Sequence, residues 1–183
     1  MIDLNNPDKA GPYDPAACWK RALIKHLARM FNLPTFIETG TCYGDTIDDV
    51  KDSFSDVWSI ELNSSLYEHS IKRFYRDLTV HIIWGSSGEM LPFIIKDTKG
   101  PRLFWLDAHS TGSLPGNGGQ VNLELDAIYP FRDSLVLIDD VVPGDNMNFF
   151  AANEEIDATN WTNRFLHGVL ILHDGRYPIP EVF

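Results

Sequence analysis

Apolar and polar residues alternate along this chain in short blocks, and the period within each block predicts one kind of element. Apolar side chains recur at helical spacing over residues 16–31, directly after Asp14-Pro15, which predicts an amphipathic helix. Further along, short apolar runs predict strands over residues 35–41, 57–61, 80–84, 102–107 and 135–139. Segments of helical period separate these runs and predict helices over residues 44–54, 64–76, 88–97 and 121–131.

This alternation of strands and helices predicts an α/β fold. Strands joined by crossover helices lie parallel, so we expect a Rossmann-like, doubly wound, mostly parallel sheet with helices on both faces. The end of the chain has a different pattern, because the apolar runs 169–173 and 177–183 flank Asp174-Gly175-Arg176. An Asp-Gly pair between two apolar runs predicts a β-hairpin, so the last strand is expected to be antiparallel to its predecessor.

Two segments are predicted to be irregular. Residues 1–15 are polar and contain proline, which predicts an irregular N-terminal arm. Residues 110–120 contain four glycines and a proline, a composition typical of a mobile surface loop that could close over a site as a lid. No domain boundary is visible, so residues 1–183 are expected to form a single domain.

Composition narrows the class of partner. The chain has 183 residues, 44% of them hydrophobic, and its 26 acidic and 15 basic residues give a net charge of -11. A surplus of acidic residues argues against binding a nucleic acid backbone. No run approaches the roughly 18 apolar residues of a membrane span, and no export signal is visible. Cys18 and Cys42 form neither a disulfide framework nor a metal motif, so a reducing, cytoplasmic setting is expected.

The most specific motif is a glycine turn after the first predicted strand. It reads Glu38-x-Gly40-x-x-x-Gly44, where glycines allow positive φ and close approach to a ligand, and the next helix offers free N–H groups. Glu61 ends the second predicted strand about 20 residues further on, the spacing at which nucleotide-binding folds place a ribose-binding carboxylate. A tight structural turn and a solvated strand-end glutamate are the alternatives.

Polar residues follow each predicted strand of the parallel sheet. Ligands of such sheets bind beyond the carboxyl ends of the strands, so these residues predict a functional cleft. They are Glu38 with Gly40 and Gly44, then Glu61, then Gly85-Ser86-Ser87, then Asp107-Ala108-His109, and finally Asp139-Asp140.

Three of these residues predict a metal site. Asp107, Asp139 and Asp140 follow adjacent strands, which would gather three carboxylates, and a hard divalent cation such as Mg²⁺ is their natural partner. Helix capping by the same side chains is the alternative. Histidine has a reference pKa of about 6.5, which suits a general base, so His109 could take the substrate proton, although it could also be a metal ligand or a plain polar contact. Glu124 is expected to be a solvated helix charge, with a side chain that reaches back to the site as the alternative.

Taken together, these motifs resemble one enzyme family. The chain is similar to class I S-adenosylmethionine (SAM)-dependent methyltransferases in five segments. They are Glu38-Thr39-Gly40-Thr41 with Gly44, Ser59-Ile60-Glu61, Trp84-Gly85-Ser86-Ser87, residues 104–109, and Leu137-Ile138-Asp139-Asp140. Within that class it most resembles the macrocin-type O-methyltransferases of small molecules and, more distantly, the catechol type.

The resemblance implies a seven-stranded sheet with an antiparallel last strand. It implies that Glu38 and Gly40 lie against the methionine part of SAM, that Glu61 binds the ribose, and that Ser86 and Ser87 lie near the adenine. The full cofactor set that it implies is Glu38, Gly40, Thr41, Gly44, Glu61, Ser86, Ser87 and Asp107. It also implies a divalent metal at Asp107, Asp139 and Asp140. Beside this, we expect Asp107 and His109 to be the catalytic residues.

The expected function is therefore methyl transfer from SAM to an oxygen of a small molecule, assisted by Mg²⁺ or a similar metal. Three alternatives stay open. One is metal-independent transfer to nitrogen or carbon. Another is NAD-linked oxidation, although the expected Gly-x-Gly-x-x-Gly spacing differs from that of Gly40 and Gly44. The last is a non-catalytic nucleotide-binding module. The oligomeric state is open, with a homodimer among the options.

Overall fold

The computed structural model describes residues 3–6, 14–108, 119–141 and 161–181. Its helices are α1 (Pro15–Phe31), α2 (Asp45–Val50, continued by a 3₁₀ turn at Lys51–Ser53), α3 (Ser64–Arg73), α4 (Ser87–Asp97) and α5 (Gly119–Ile128). Its strands are β1 (Thr35–Thr39), β2 (Asp56–Glu61), β3 (Val80–Trp84), β4 (Arg102–Leu106), β5 (Ser134–Ile138), β6 (Thr162–Leu166) and β7 (Val169–His173). Each predicted helix and strand up to residue 139 is present, with ends shifted by a few residues.

The seven strands form one sheet in the order β3-β2-β1-β4-β5-β7-β6. Strands β1 to β5 are parallel, whereas β7 is antiparallel to both β5 and β6. The predicted fold class, with a mostly parallel sheet and an antiparallel final strand, is confirmed. The order reverses between β1 and β4, and a reversal of this kind opens a crevice at the carboxyl ends of the two strands.

Helices cover both faces of the sheet, as predicted. On one face the buried side chains of α1, such as Trp19 and Leu23, pack with Phe36 of β1. On the other face Leu91 of α4 and Leu125 of α5 pack with Ile37, the next residue of β1. Successive strand residues point to opposite faces, so a strand covered on both sides is mostly apolar. This explains why the central strands read as continuous apolar runs.

The position of the final hairpin was predicted wrongly. Asp174-Gly175-Arg176 does not join two strands, and residues 174–181 continue after β7 without a strand among them. The hairpin turn is His167-Gly168, between β6 and β7. Both residues have positive φ, 46° and 85°, which is the conformation whose twist suits a two-residue hairpin. The prediction paired the apolar run of β7 with residues 177–183, whereas in the structure β7 pairs with β6.

Residues beyond β7 pack back on the sheet as irregular chain. Tyr177 is buried, and its hydroxyl donates to the Asp133 carboxylate at 2.7 Å. Most of the predicted lid, residues 110–118, lies outside the described residues. Its last two residues, 119 and 120, begin α5. Most of the predicted N-terminal arm, residues 1–2 and 7–13, is likewise outside them. Among the described helices, none is long and apolar enough to cross a membrane.

Replacing Gly168 tests the hairpin assignment. A Cβ at this position would meet no described atom within 4 Å, so Gly168→Ala should cost only the backbone strain of positive φ, about 1–2 kcal/mol in the free energy of unfolding. Gly168→Asn should cost less, because asparagine tolerates this conformation. Urea unfolding of both variants measures the difference, and equal stability of all three proteins would contradict the assigned turn.

Candidate active site at the carboxyl edge of the sheet

Gly40 allows the ends of β1 and β4 to come close together. Its φ is 87°, and its N–H donates to the Ile60 carbonyl at 2.9 Å. A Cβ at this position would lie 2.8 Å from the carbonyl oxygen of Asp107, which is backbone and cannot move aside. Any larger residue would therefore push apart the two strands at which the sheet order reverses.

The second glycine of the motif has a separate packing role. Gly44 has φ 82°, and a Cβ there would lie 2.6 Å from the ring of Phe74. Between the two glycines Cys42 adopts φ 51° and exposes its side chain. The turn is therefore shaped by backbone conformation and by close packing against the end of α3.

Glu61 closes the other side of the glycine turn. One carboxylate oxygen accepts the backbone N–H of Cys42 at 2.8 Å, and the other accepts the N–H of Asn63 at 2.8 Å. The side chain is buried, so the alternative of a solvated strand-end glutamate is wrong. Each carboxylate oxygen has two acceptor positions, so both keep capacity for a further donor such as a ribose hydroxyl.

Glu38 lies behind the turn in a buried hydrogen-bond chain. Its side chain is 2% exposed and accepts a hydrogen bond from the Ser59 hydroxyl at 2.6 Å. The hydroxyls of Ser59 and Thr41 are also 2.6 Å apart. Burial, reinforced by the charges of Asp107 and Glu61, raises the pKa of Glu38 to about 8 against the opposing hydrogen bond from Ser59. Glu38 therefore carries a proton at neutral pH.

The predicted adenine side lies at the start of α4. Ser86 precedes the helix and is half-buried, whereas Ser87 is buried and its hydroxyl donates to the carboxylate of Glu124. Glu124 is fully buried, so its expected place in solvent is wrong. A signal for this was present, because Val121, Glu124, Leu125 and Ile128 recur at the spacing of one helix face and the other three are apolar.

The three predicted metal ligands lie together after β4 and β5. One carboxylate oxygen each from Asp107, Asp139 and Asp140 can be chosen so that all lie within 4.8 Å of one another. Asp139 is buried and accepts the N–H of Asp140 at 2.7 Å, while Asp140 adopts φ 51°. We call these three residues the acidic cluster.

A lysine that sequence reasoning did not single out reaches this cluster. The Nζ atom of Lys20 in α1 lies 2.6 Å from Asp139 Oδ1 and 2.9 Å from Asp140 Oδ1. Lys20 shares one face of α1 with Leu23, Ile24 and Leu27, at the spacing of an apolar stripe. A cation at an inward position of the stripe is the signal that could have identified it.

Electrostatic coupling joins these groups into one site. Burial, followed by the charges of Asp139 and Asp140, raises the pKa of Asp107 to about 7, and Lys20 opposes that shift. Burial also raises the pKa of Asp139 against the opposing bond from Lys20. Because Asp107 also acts on Glu38, the cofactor-side and metal-side residues share a single acidic environment.

The structure thus places nearly all the predicted site residues along one edge of the sheet. Gly40 contacts the start of the loop that carries Asp107, and the backbone of Gly85 donates to the Glu61 carbonyl at 3.0 Å. His109, the predicted general base, lies outside the described residues. Such an edge offers hydrogen-bond acceptors on the Glu61 side and carboxylates spaced for a cation at the acidic cluster.

Comparison with solved structures identifies the fold. A candidate caffeoyl-CoA O-methyltransferase from Staphylococcus aureus matches with a TM-score of 0.64 and 19% identity, over 90% of this chain and 85% of that one. A Podospora anserina methyltransferase bound to S-adenosylhomocysteine (SAH) matches with a TM-score of 0.62 and 13% identity, over 92% and 82%. An O-methyltransferase from Bacillus cereus in complex with SAH matches with a TM-score of 0.62 and 14% identity, over 84% and 79%.

These structural neighbours are class I SAM-dependent methyltransferases, and this chain has their fold. No family profile matches the sequence, and no curated protein matches it. At such low identities the likeness concerns the fold alone. The closer resemblance to macrocin-type enzymes stays a prediction.

The raised pKa of Glu38 predicts a pH dependence of stability. Between the ordinary value of 4.5 and about 8 the folded protein holds a proton on Glu38 that the unfolded chain releases. Rising pH therefore favours unfolding across this window, and the free energy of unfolding should fall. Glu38→Gln should make the fall shallower, because an amide does not ionise and still accepts the Ser59 bond.

Urea unfolding between about pH 5 and pH 8 measures this slope. Glu68→Gln is the matched control. Glu68 is exposed on the surface of α3, and its carboxylate lies as far as 4.0 Å from the Lys72 ammonium. Its slope should equal that of the wild type. An unchanged slope in Glu38→Gln would show that Glu38 does not hold this proton.

Proposed function

We propose that this protein transfers a methyl group from SAM to an oxygen of a small molecule. The observation that carries the proposal is the pairing of the Gly40 turn with the buried Glu61 carboxylate, at the point where the strand order reverses. This is the position at which an open α/β sheet binds a nucleotide. Two of the structural neighbours hold SAH, the product form of the same cofactor.

The proposed cofactor contacts follow from the chemistry of each side chain. Glu61 would accept both ribose hydroxyls, since its carboxylate is anchored by two backbone N–H groups and keeps further acceptor capacity. Gly40, Thr41, Gly44 and Glu38 would line the methionine part, with Asp107 opposite Gly40. Ser86 and Ser87 would lie beside the adenine.

A divalent metal fits the acidic cluster. Three carboxylates lie close enough to share one ion, and the Lys20 ammonium at Asp139 and Asp140 already stands in for a cation there. Asp107, Asp139 and Asp140 would hold Mg²⁺ or a similar ion, with water and substrate oxygens as the remaining ligands. Such an ion would polarise the hydroxyl of the acceptor.

Methyl transfer asks mainly for alignment of donor and acceptor. Bound SAM supplies a methyl group that its sulfonium has already activated. The chain must hold the acceptor oxygen in line with that methyl, exclude water and take up the hydroxyl proton. We assign the positioning to Asp107 at the cluster and the proton to His109, two residues later in the sequence.

One observation favours a second candidate function. Lys20 neutralises part of the acidic cluster without any added ion, so the same site could support methyl transfer that needs no metal. In that case Lys20 would supply the positive charge near the acceptor oxygen.

Cofactor binding tests the first step. Isothermal titration should show SAH binding to the wild-type protein, and NADH should give no saturable signal. Glu61→Gln should weaken SAH binding roughly tenfold or more, because an amide loses the charge and one acceptor for the ribose hydroxyls. Glu68→Gln on the surface of α3 should bind like the wild type. Equal SAH affinity of Glu61→Gln and the wild type would sink the assignment of Glu61.

Metal binding is tested separately with Mn²⁺. Asp139→Asn should lose the Mn²⁺ heat signal while SAH affinity stays within a few fold of the wild type, because Asp139 belongs to the cluster and not to the ribose side. Asp97→Asn, at the exposed end of α4, is the control for removal of one carboxylate. Loss of Mn²⁺ and SAH binding together would indicate a misfolded site instead.

A further inference from the structure

Lys20 reaches the acidic cluster from outside the loops that form it. It belongs to α1, whereas the three carboxylates follow β4 and β5. Its ammonium bonds to Asp139 and Asp140, the two carboxylates contributed by a single loop. The cluster therefore has a resident cation that is part of the chain itself.

The ammonium and a metal ion would use the same oxygen atoms. Lys20 Nζ lies 2.6 Å and 2.9 Å from the Oδ1 atoms of Asp139 and Asp140. Mg²⁺ binds carboxylate oxygens at about 2.0–2.1 Å, so both cations on these oxygens would lie within a few Å of each other. Two positive charges at such a separation repel strongly in a partly buried site.

The side chain of Lys20 can also leave. A lysine carries its charge on a flexible four-carbon stem, and Lys20 is 20% exposed. Asp140, its second partner, is 63% exposed, so one of the two carboxylates that Lys20 binds is open to an ion arriving from solvent.

We infer that Lys20 is a tethered cation that a divalent metal must displace from Asp139 and Asp140. This inference rests on the metal site of the proposed function. The two cations bind in exchange, so the carboxylates keep a positive partner in both states and the metal binds more weakly than three bare carboxylates would allow.

Removing the ammonium tests the exchange. Lys20→Met keeps most of the side-chain length without the charge, and Mn²⁺ should bind roughly tenfold tighter or more than to the wild type, as measured by isothermal titration and by the electron paramagnetic resonance signal of free Mn²⁺. Lys20→Arg keeps the charge and should stay within a few fold of the wild type. Lys25→Met is the matched control, because Lys25 lies on the same helix and pairs with Asp49 at 2.8 Å.

A second measurement needs no mutation. By linkage, saturating Mn²⁺ should release the Lys20 amine, so its acetylation by an amine-reactive reagent should speed up, as read by mass spectrometry. Acetylation of Lys25 should keep its rate. This measurement decides the matter if Lys20→Met fails to fold.

The inference would be overturned if Mn²⁺ bound Lys20→Met as weakly as the wild type or more weakly. It would also be overturned if Mn²⁺ left the acetylation rate of Lys20 unchanged or lowered it. Absence of Mn²⁺ binding in both proteins would overturn it too. SAH titration of the same samples separates the outcomes, since retained SAH binding would leave methyl transfer from SAM standing without the exchange. Loss of SAH binding together with tighter Mn²⁺ binding would support the exchange at Lys20 and contradict methyl transfer from SAM.

Discussion

Compensation of buried negative charge at one edge of the sheet is the constraint on which the rest of this site depends. Burying an isolated carboxylate is costly, and here several lie within a short distance of one another. The buried carboxyl groups of Glu38, Glu61 and Asp139 are compensated in three different ways. Glu38 holds a proton, Glu61 accepts two backbone N–H groups, and Asp139 and Asp140 share the ammonium of Lys20.

These different forms of compensation correspond to different chemical tasks. A carboxyl that keeps its proton can line a cofactor site that already contains other acids. An ionised carboxylate fixed by backbone donors is a rigid acceptor for hydroxyl groups. Carboxylates balanced by a partly exposed lysine on a flexible stem could exchange that partner for another cation more readily than a structural ion pair deep in the core. One acidic edge therefore carries three chemically distinct kinds of carboxyl group.

The close approach of β1 and β4 brings these surfaces together. Gly40 and the Asp107 backbone lie so near that a single methyl group would not fit between them. This contact lies at the point where the strand order reverses. The charge of Asp107 helps to raise the pKa of Glu38 across this contact, so the proposed metal side and the proposed cofactor side are electrostatically one site.

Much of this arrangement could be predicted from the order of residues. Strand ends follow from apolar runs, and parallel strands must end at the same edge, so Glu38, Glu61 and Asp139 could be grouped without coordinates. The glycine turn could be recognised because positive φ restricts the choice of residue. The hairpin was misplaced, since Asp174-Gly175 and His167-Gly168 both suit a turn and only pairing of β7 with β6 distinguishes them.

The amino-acid sequence by itself determined the class of fold and the edge at which the polar groups collect, because both depend on the local period of apolar residues. The tertiary structure alone decided which partner each buried charge received. Lys20 meets residues 139 and 140, and Glu124 meets Ser87, across long separations in the chain. Such contacts depend on how a helix is placed against a sheet, and local periodicity shows only that a polar residue points inward, without showing what it meets there.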